Sequence, residues 1–181
     1  MAAWASSRAL GYEKRRRGIS RSLRYDAISL AEAKHLLIVL QLYLEDQTDT
    51  LVASIQSLVA SIRQDDVMPI VRSHIGAITD VVGNVISATE GVIEEAPHGS
   101  RLATTLERAV HQDIQKLENT RKQLMKASVD SQALDSARKG DGKVKMLTQG
   151  LPPLAFGIAR DMKSLVANIE GVDLSGGDDF S

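Results

Sequence analysis

Few side chains in this sequence have the types and spacing that catalysis or metal binding requires. A helical metal pair needs two ligands three or four residues apart, and none of the histidines meets that requirement: His35, His74, His98 and His111. The adjacent acids Asp65-Asp66 and Glu94-Glu95 lie in predicted loops, where helix capping explains them better than acid–base work. No Gly-rich phosphate loop, G-x-S-x-G elbow or H-E-x-x-H motif is present. The sequence therefore predicts no enzyme, no metal site and no cofactor.

The last apolar stretch carries a different kind of candidate site. Its apolar residues recur at steps of three and four and so line one face of a helix: Leu147, Leu151, Leu154, Ile158, Met162, Leu165 and Ile169. Phe156, Arg160 and Lys163 fall on roughly the opposite side. This strip is either a stray exposed aromatic beside two solvated cations or a shallow groove for an amphipathic helix. In a groove, apolar contacts supply affinity and the cations select an acidic ligand.

The first helix also carries more apolar surface than one core needs. Between Leu36 and Leu44 it is apolar nearly all round, and Ile38, Val39 and Leu42 lie well off the inward stripe. Either neighbouring structure or a partner covers them. These three residues, together with Phe156, Arg160 and Lys163, form the predicted partner-binding set.

Composition and periodicity predict how these residues are positioned. The core is aliphatic, because the chain has two Phe, three Tyr and one Trp, and it has no Cys for a disulfide or thiolate site. An intracellular protein with no membrane-spanning segment is expected. We predict an all-α, antiparallel four-helix bundle over residues 28–170, with helices at about 29–63, 67–93, 100–128 and 144–170. Residues 1–27 and 171–181 are predicted to be disordered tails, and the connection after Val129 is predicted to be flexible.

Four local features refine this prediction. Ser29 to Glu32 fits a capping box and places the start of a long first helix, and Asp66 offers an N-cap for the second. Gly76 and Gly83 are expected to let a neighbouring helix approach closely. Pro152-Pro153 either kinks the fourth helix or restarts it after Gly150, and the kinked helix is the prediction.

Charge is divided unevenly along the chain. Residues 1–25 hold seven cations and one acid, a balance of +6, so the remaining 15 cations and 22 acids of the chain balance to −7. An acidic body is a poor nucleic-acid surface, and no nucleic-acid partner is predicted. The basic leader is open to three interpretations: a solvated extension, a mitochondrial transit peptide, or a polybasic arm for membrane or nucleic acid.

Several segments resemble the C-terminal domain of GIT-type Arf GTPase-activating scaffolds. They are residues 50–58 (TLVASIQSL), 71–89, 145–149 (KMLTQ) and 156–166 (FGIARDMKSLV). Residues 43–48 (YLEDQT) resemble most closely the C-terminal domain of the fungal polarisome scaffold, the Spa protein. The resemblance covers about residues 43–170 and implies a focal-adhesion-targeting-like bundle. In the animal relatives that bundle binds short acidic leucine-rich helical motifs between its first and last helices.

The resemblance implies an adaptor without turnover. Phe156 matches an aromatic position of the last helix in the relatives, and Arg160 and Lys163 match basic ones. The expected partners are amphipathic helices of cell-polarity or actin-cytoskeletal proteins, and the expected location is the cytoplasm of a fungal cell, at sites of polarised growth. The N-terminal modules of full-length scaffolds are absent from this sequence, as expected for a fragment, a short paralogue or a truncated gene model.

Two alternative functions follow from the same residues. The first is a homodimer formed through Ile38, Val39 and Leu42. The second is a bundle that binds a membrane surface with the help of the basic leader, although membrane contact is the less expected outcome.

Overall fold

Four α-helices in succession build the molecule. The computed structural model describes the backbone of residues 4–96, 101–134 and 142–172, with side chains from residue 30 onward except Arg101. The helices are α1 (Trp4–Arg63), α2 (Met68–Glu95), α3 (Arg101–Gln132) and α4 (Gly142–Glu170). The predicted all-α class is confirmed, and no strand occurs in the part of the chain that is described.

Helix α1 is longer than predicted. It begins at Trp4 rather than at the Ser29 capping box and continues unbroken to Arg63. Extending an existing helix costs far less free energy than nucleating a new one. No proline precedes Pro69 in the sequence, so no proline interrupts α1 on its N-terminal side. The disorder of residues 1–27 in isolation stays a prediction.

Each helix packs against two neighbours, so the four form a closed ring. Contacts join α1 to α2, α2 to α3, α3 to α4 and α4 to α1. The short connections make successive helices antiparallel, which leaves α1 and α3 parallel to each other across the ring. The predicted apolar stripes meet in one aliphatic core, whose largest fully buried members include Leu44, Leu58, Ile75, Leu117 and Ile158.

The turn between α1 and α2 closes with a Schellman motif. The backbone N–H of Asp66 donates to the Ser61 carbonyl at 3.1 Å, and that of Asp65 donates to the Ile62 carbonyl at 3.2 Å. Asp65 takes the left-handed conformation that this motif requires, with φ of 57°. The predicted N-cap at Asp66 is wrong by one residue, because Val67 occupies that position with no side-chain cap.

Helix α4 continues through the proline pair without a break. Pro152 and Pro153 both lie inside the helix, so the alternative of a restart after Gly150 does not occur, and the kink itself stays a prediction. Because proline has no N–H, the carbonyls of Thr148 and Gln149 lose their usual donors four residues further on. The buried stripe from Leu151 to Ile169 holds the helix in place across this gap.

The remaining predicted boundaries differ by a few residues. Helix α2 continues to Glu95, so the prediction that Glu94-Glu95 lie in a loop is wrong. Helix α3 continues to Gln132 instead of ending at 128. The predicted helix start at Ser100, the predicted loop residues 97–99, most of the flexible connection (135–141) and the acidic tail (173–181) lie outside the described residues.

Candidate functional site

Polar contacts that join α3 to its neighbours show how α3 is rotated in the bundle. Arg121 of α3 donates from Nε to the Thr79 carbonyl of α2 at 3.0 Å. On the opposite flank of α3, Asp113 accepts from Ser164 Oγ at 3.1 Å and from Asn168 Nδ2 at 2.5 Å, both on α4. These contacts show which flank of α3 faces α2 and which faces α4.

A simple rule of helix geometry follows from these contacts. At about 100° per residue, a residue just after a buried position lies on one flank, and a residue just before a buried position lies on the other. In α4 the residues just before buried Leu165 and Ile169, Ser164 and Asn168, face α3. The residues that follow buried ones therefore turn toward α1.

This rule places Phe156 and Lys163 on the flank of α4 that faces α1. Phe156 follows buried Ala155, and Lys163 follows buried Met162. Phe156 is 59% exposed, and Lys163 is exposed as well. Both side chains therefore remain accessible at the edge of the α1–α4 seam.

Arg160 lies in the middle of the outer surface of α4. Its side chain is 82% exposed and makes a loose ion pair at 3.5 Å with neighbouring Asp161. Such an exposed pair contributes little to stability, so the guanidinium stays available to a ligand.

The three predicted residues of α1 are all exposed but do not share one flank. Ile38 is 54% exposed, Val39 is 51% exposed and Leu42 is 61% exposed. In α3, Glu118 follows buried Leu117 and lines a cleft with α2. Helix α1 is parallel to α3 but lies on the opposite side of the ring, so the residues that follow its buried positions face α4 instead of α2.

The corresponding flank of α1 faces α4. Ile38 follows buried Leu37 and therefore turns toward α4, whereas Val39 precedes buried Leu40 and turns toward α2. Leu42 points away from the core. The predicted set is therefore split: Ile38, Phe156 and Lys163 border the α1–α4 seam, Leu42 and Arg160 point outward, and Val39 lies on the other side of α1.

A second surface, between α2 and α3, was not predicted as a site from the sequence. It holds a cleft of about 770 Å³ whose polar lining includes Asp80, Asn84, Ser87, Glu90, Glu118 and Arg121. A smaller cleft of about 400 Å³ shares Glu90 and Ile114 with it and reaches Glu94 and Glu107. The two clefts form one groove, which we call the α2–α3 groove. The spacing of residues along one helix does not predict this groove, because its rims combine residues of α2 and α3.

The two predicted packing glycines differ in their surroundings. A Cβ added at Gly83 would meet Arg121 Nη2 at 3.2 Å, whereas one at Gly76 would meet nothing within 4 Å. Gly83 therefore makes room for a guanidinium and not for a helix backbone. The expectation for Gly76 is wrong, because its side of α2 is open.

The described residues hold no group of His, Cys, Asp or Glu that could bind a metal ion. None of the described helices is both long enough and apolar enough to cross a membrane. His111 lies in the smaller cleft, where its ring nitrogen is 2.9 Å from Gln115 Nε2. That contact within one helix turn explains this histidine without a ligand.

A comparison with protein families identifies the family of this bundle. Residues 41–170 match the family model described as the G protein-coupled receptor kinase-interacting protein 1 C term, so the match spans most of the chain and all four helices. No curated protein and no solved structure matches the chain. The matched domain is a non-catalytic, scaffold-type domain that serves protein interaction. The chain belongs to the family of G protein-coupled receptor kinase-interacting protein 1 C-terminal domains.

Proposed function

We propose that this bundle is an adaptor that holds an amphipathic helix along the α1–α4 seam. The observation that carries the proposal is Phe156, a large aromatic that is 59% exposed on the flank of α4 facing α1. Ile38 of α1 borders the same seam nearer the end at which α4 finishes, so it adds a second exposed apolar side chain further along the seam. Exposed apolar side chains along one seam supply the anchors that a helix needs when it lies in a groove.

The cations on the α4 side of this seam favour a ligand that is acidic along one edge. Arg160 and Lys163 are exposed next to Phe156, and the only described ion pair of either is the loose one between Arg160 and Asp161. Two cations at the rim steer an acidic helix and set its register more than they add affinity. The partner therefore carries apolar residues at steps of three and four, with acidic residues on the edge that meets α4.

A peptide-binding measurement tests this assignment. The probe is a synthetic helical peptide with leucines at steps of three and four and glutamates on one edge, titrated into the full chain by fluorescence anisotropy. The double variant Arg160→Glu/Lys163→Glu should weaken binding by about tenfold or more, because attraction becomes repulsion at both positions.

The matched control reverses two exposed cations on another helix. Arg108 and Lys126 both lie on the outer side of α3, and Arg108→Glu/Lys126→Glu changes net charge by the same amount. Affinity unchanged in the α4 variant, or lowered equally in the control, would rule out the seam as the binding site.

The finer assignment to cell polarity rests on the resemblance to the fungal polarisome scaffold. We propose amphipathic helices of polarity or actin-cytoskeletal proteins as partners, and the cytoplasm at sites of polarised growth as the location. Imaging a tagged full chain in polarised fungal cells tests this, since uniform distribution through the cell would contradict it.

Self-association is a second candidate, supported by the exposed apolar residues of α1. Half or more of the surface of each of three apolar side chains is exposed to solvent: Ile38, Val39 and Leu42. Exposed apolar residues that lie close together are typical of a protein–protein interface. A dimer formed through them should dissociate in the variant Ile38→Ser/Leu42→Ser and should tolerate salt. Sedimentation of the native chain as a monomer at high concentration would exclude it.

A further inference from the structure

We propose that the α2–α3 groove binds the basic leader, residues 8–24, of a second copy of this chain. The groove combines an apolar floor with acidic rims. Ile86 is buried, and Ile93 and Ile114 are half-buried along its length. Such a lining accepts an amphipathic segment and not a small polar ligand.

The rims of the groove carry negative charge without internal partners. Asp80, Glu90, Glu94 and Glu107 are exposed, and none of them forms an ion pair with the described residues. The main cation of the groove, Arg121, is already engaged by the Thr79 carbonyl and by Glu118 at 3.2 Å. The charged groups at the rims that have no described ion pair are therefore carboxylates, and a ligand of complementary charge is basic.

The leader is the segment of this chain with the matching charge. Seven cations stand against one acid in residues 1–25, while the rest of the chain is net acidic. In the same stretch Tyr12, Ile19 and Leu23 recur at steps of seven and four, a spacing that falls on one side of a helix. Helix α1 includes this stretch, so a helical conformation is available to it. A basic helix with an apolar stripe fits an acidic groove with an apolar floor.

The continuity of α1 indicates whether the leader contacts the groove of its own chain or the groove of a second chain. Helix α1 runs unbroken from Trp4 to Arg63 and lies across the ring from α3. A continuous helix leads the leader away from the bundle and cannot turn back to the groove between α2 and α3. The leader therefore meets the groove of another copy, in a contact that joins two different surfaces.

Sedimentation velocity of the full chain tests the proposal. We expect concentration-dependent association at about 0.05 M salt, weakened about tenfold or more at about 0.5 M salt because screening shortens the reach of the charges. The groove variant Glu90→Gln/Glu94→Gln and the leader variant Arg17→Glu/Arg21→Glu should each weaken association to a similar extent.

A charge-exchange experiment gives the sharpest outcome. Groove variant Glu90→Lys/Glu94→Lys and leader variant Arg17→Glu/Arg21→Glu should each associate poorly alone and recover association when mixed. The matched control is Asp46→Lys/Asp130→Lys, which reverses two exposed acids outside the groove, changes the net charge by the same amount as the groove variant and should leave association unchanged.

Three results would overturn the proposal. A monomer at every salt concentration would show that the leader does not dock between copies. Association that ignores salt and is lost in Ile38→Ser/Leu42→Ser would assign the contact to the apolar residues of α1. Equal weakening in the control variant would reduce the effect to net charge.

Discussion

Asp113 occupies an unusual position for a carboxylate. Its side chain is only 3% exposed, yet it lies on α3 opposite two hydrogen-bond donors of α4, Ser164 and Asn168. Lys116, one turn along α3, approaches at 3.5 Å but is half-exposed and contributes weakly. The two donors from α4 therefore compensate most of the cost of burying this charge.

Removing the carboxylate should destabilise the bundle. We expect Asp113→Ala to lower the free energy of unfolding by about 2–3 kcal/mol, because charge-assisted hydrogen bonds are lost and two donors are left unpaired. Urea denaturation followed by circular dichroism measures this. Asp130→Ala, at an exposed position of the same helix, is the control and should be close to neutral. Equal effects in the two variants would contradict a special role for Asp113.

Ser61 shows the opposite situation at the residue scale. It is 3% exposed, and its hydroxyl has no hydrogen-bond partner in the structure. An unpaired buried hydroxyl costs stability, and alanine also favours helix more than serine does. We expect Ser61→Ala to raise the free energy of unfolding by about 1 kcal/mol in the same denaturation assay. A loss of stability would mean that the hydroxyl has a partner, such as a bound water.

At the scale of the element, α4 keeps a costly feature at the seam. A proline inside a helix costs about 3 kcal/mol relative to alanine, and α4 contains two in succession, one of them half-buried. Phe156 follows within one turn, so the backbone that carries the proposed anchor is the backbone that the prolines perturb. This proximity links the shape of α4 to binding at the seam.

Restoring the two backbone donors should stabilise the helix and change the seam. We expect Pro152→Ala/Pro153→Ala to raise the free energy of unfolding by about 3 kcal/mol or more. The same variant should weaken binding of the acidic peptide, because the backbone that the prolines perturb carries Phe156. Gly150→Ala is the matched control, because a Cβ there meets nothing within 4 Å and no donor is restored. It should add about 1 kcal/mol or less and leave binding unchanged. Higher stability with unaltered affinity in the proline variant would separate the prolines from the binding surface.

Across the whole molecule, the core and the basic leader occupy different parts of the sequence. The first buried core residue of α1 in the described part of the chain is Ala33, and the core then continues to Ile169. The leader lies before it and carries the excess of positive charge. Stability and proposed self-association are therefore expected to depend on separate segments.

Deleting residues 1–29 should separate these two properties. We expect the free energy of unfolding of the shortened chain to remain within about 1 kcal/mol of the native value, because no described core residue is removed. Salt-sensitive association should be lost in the same variant. A large drop in stability would show that the leader packs on the bundle.

The periodicity of apolar residues was sufficient to predict four helices and their buried faces, because a stripe such as Leu151 to Ile169 has one favourable burial geometry in water. The exposure of Phe156, Arg160 and Lys163 followed from the same periodicity. The partners of Asp113 and Arg121, the α2–α3 groove and the flank that each surface residue occupies depend on which helices are neighbours and how they are rotated. Those relationships join residues about 40 to 55 positions apart, such as Thr79 with Arg121 and Asp113 with Asn168. They depend on packing between helices, which the local spacing of residues does not encode.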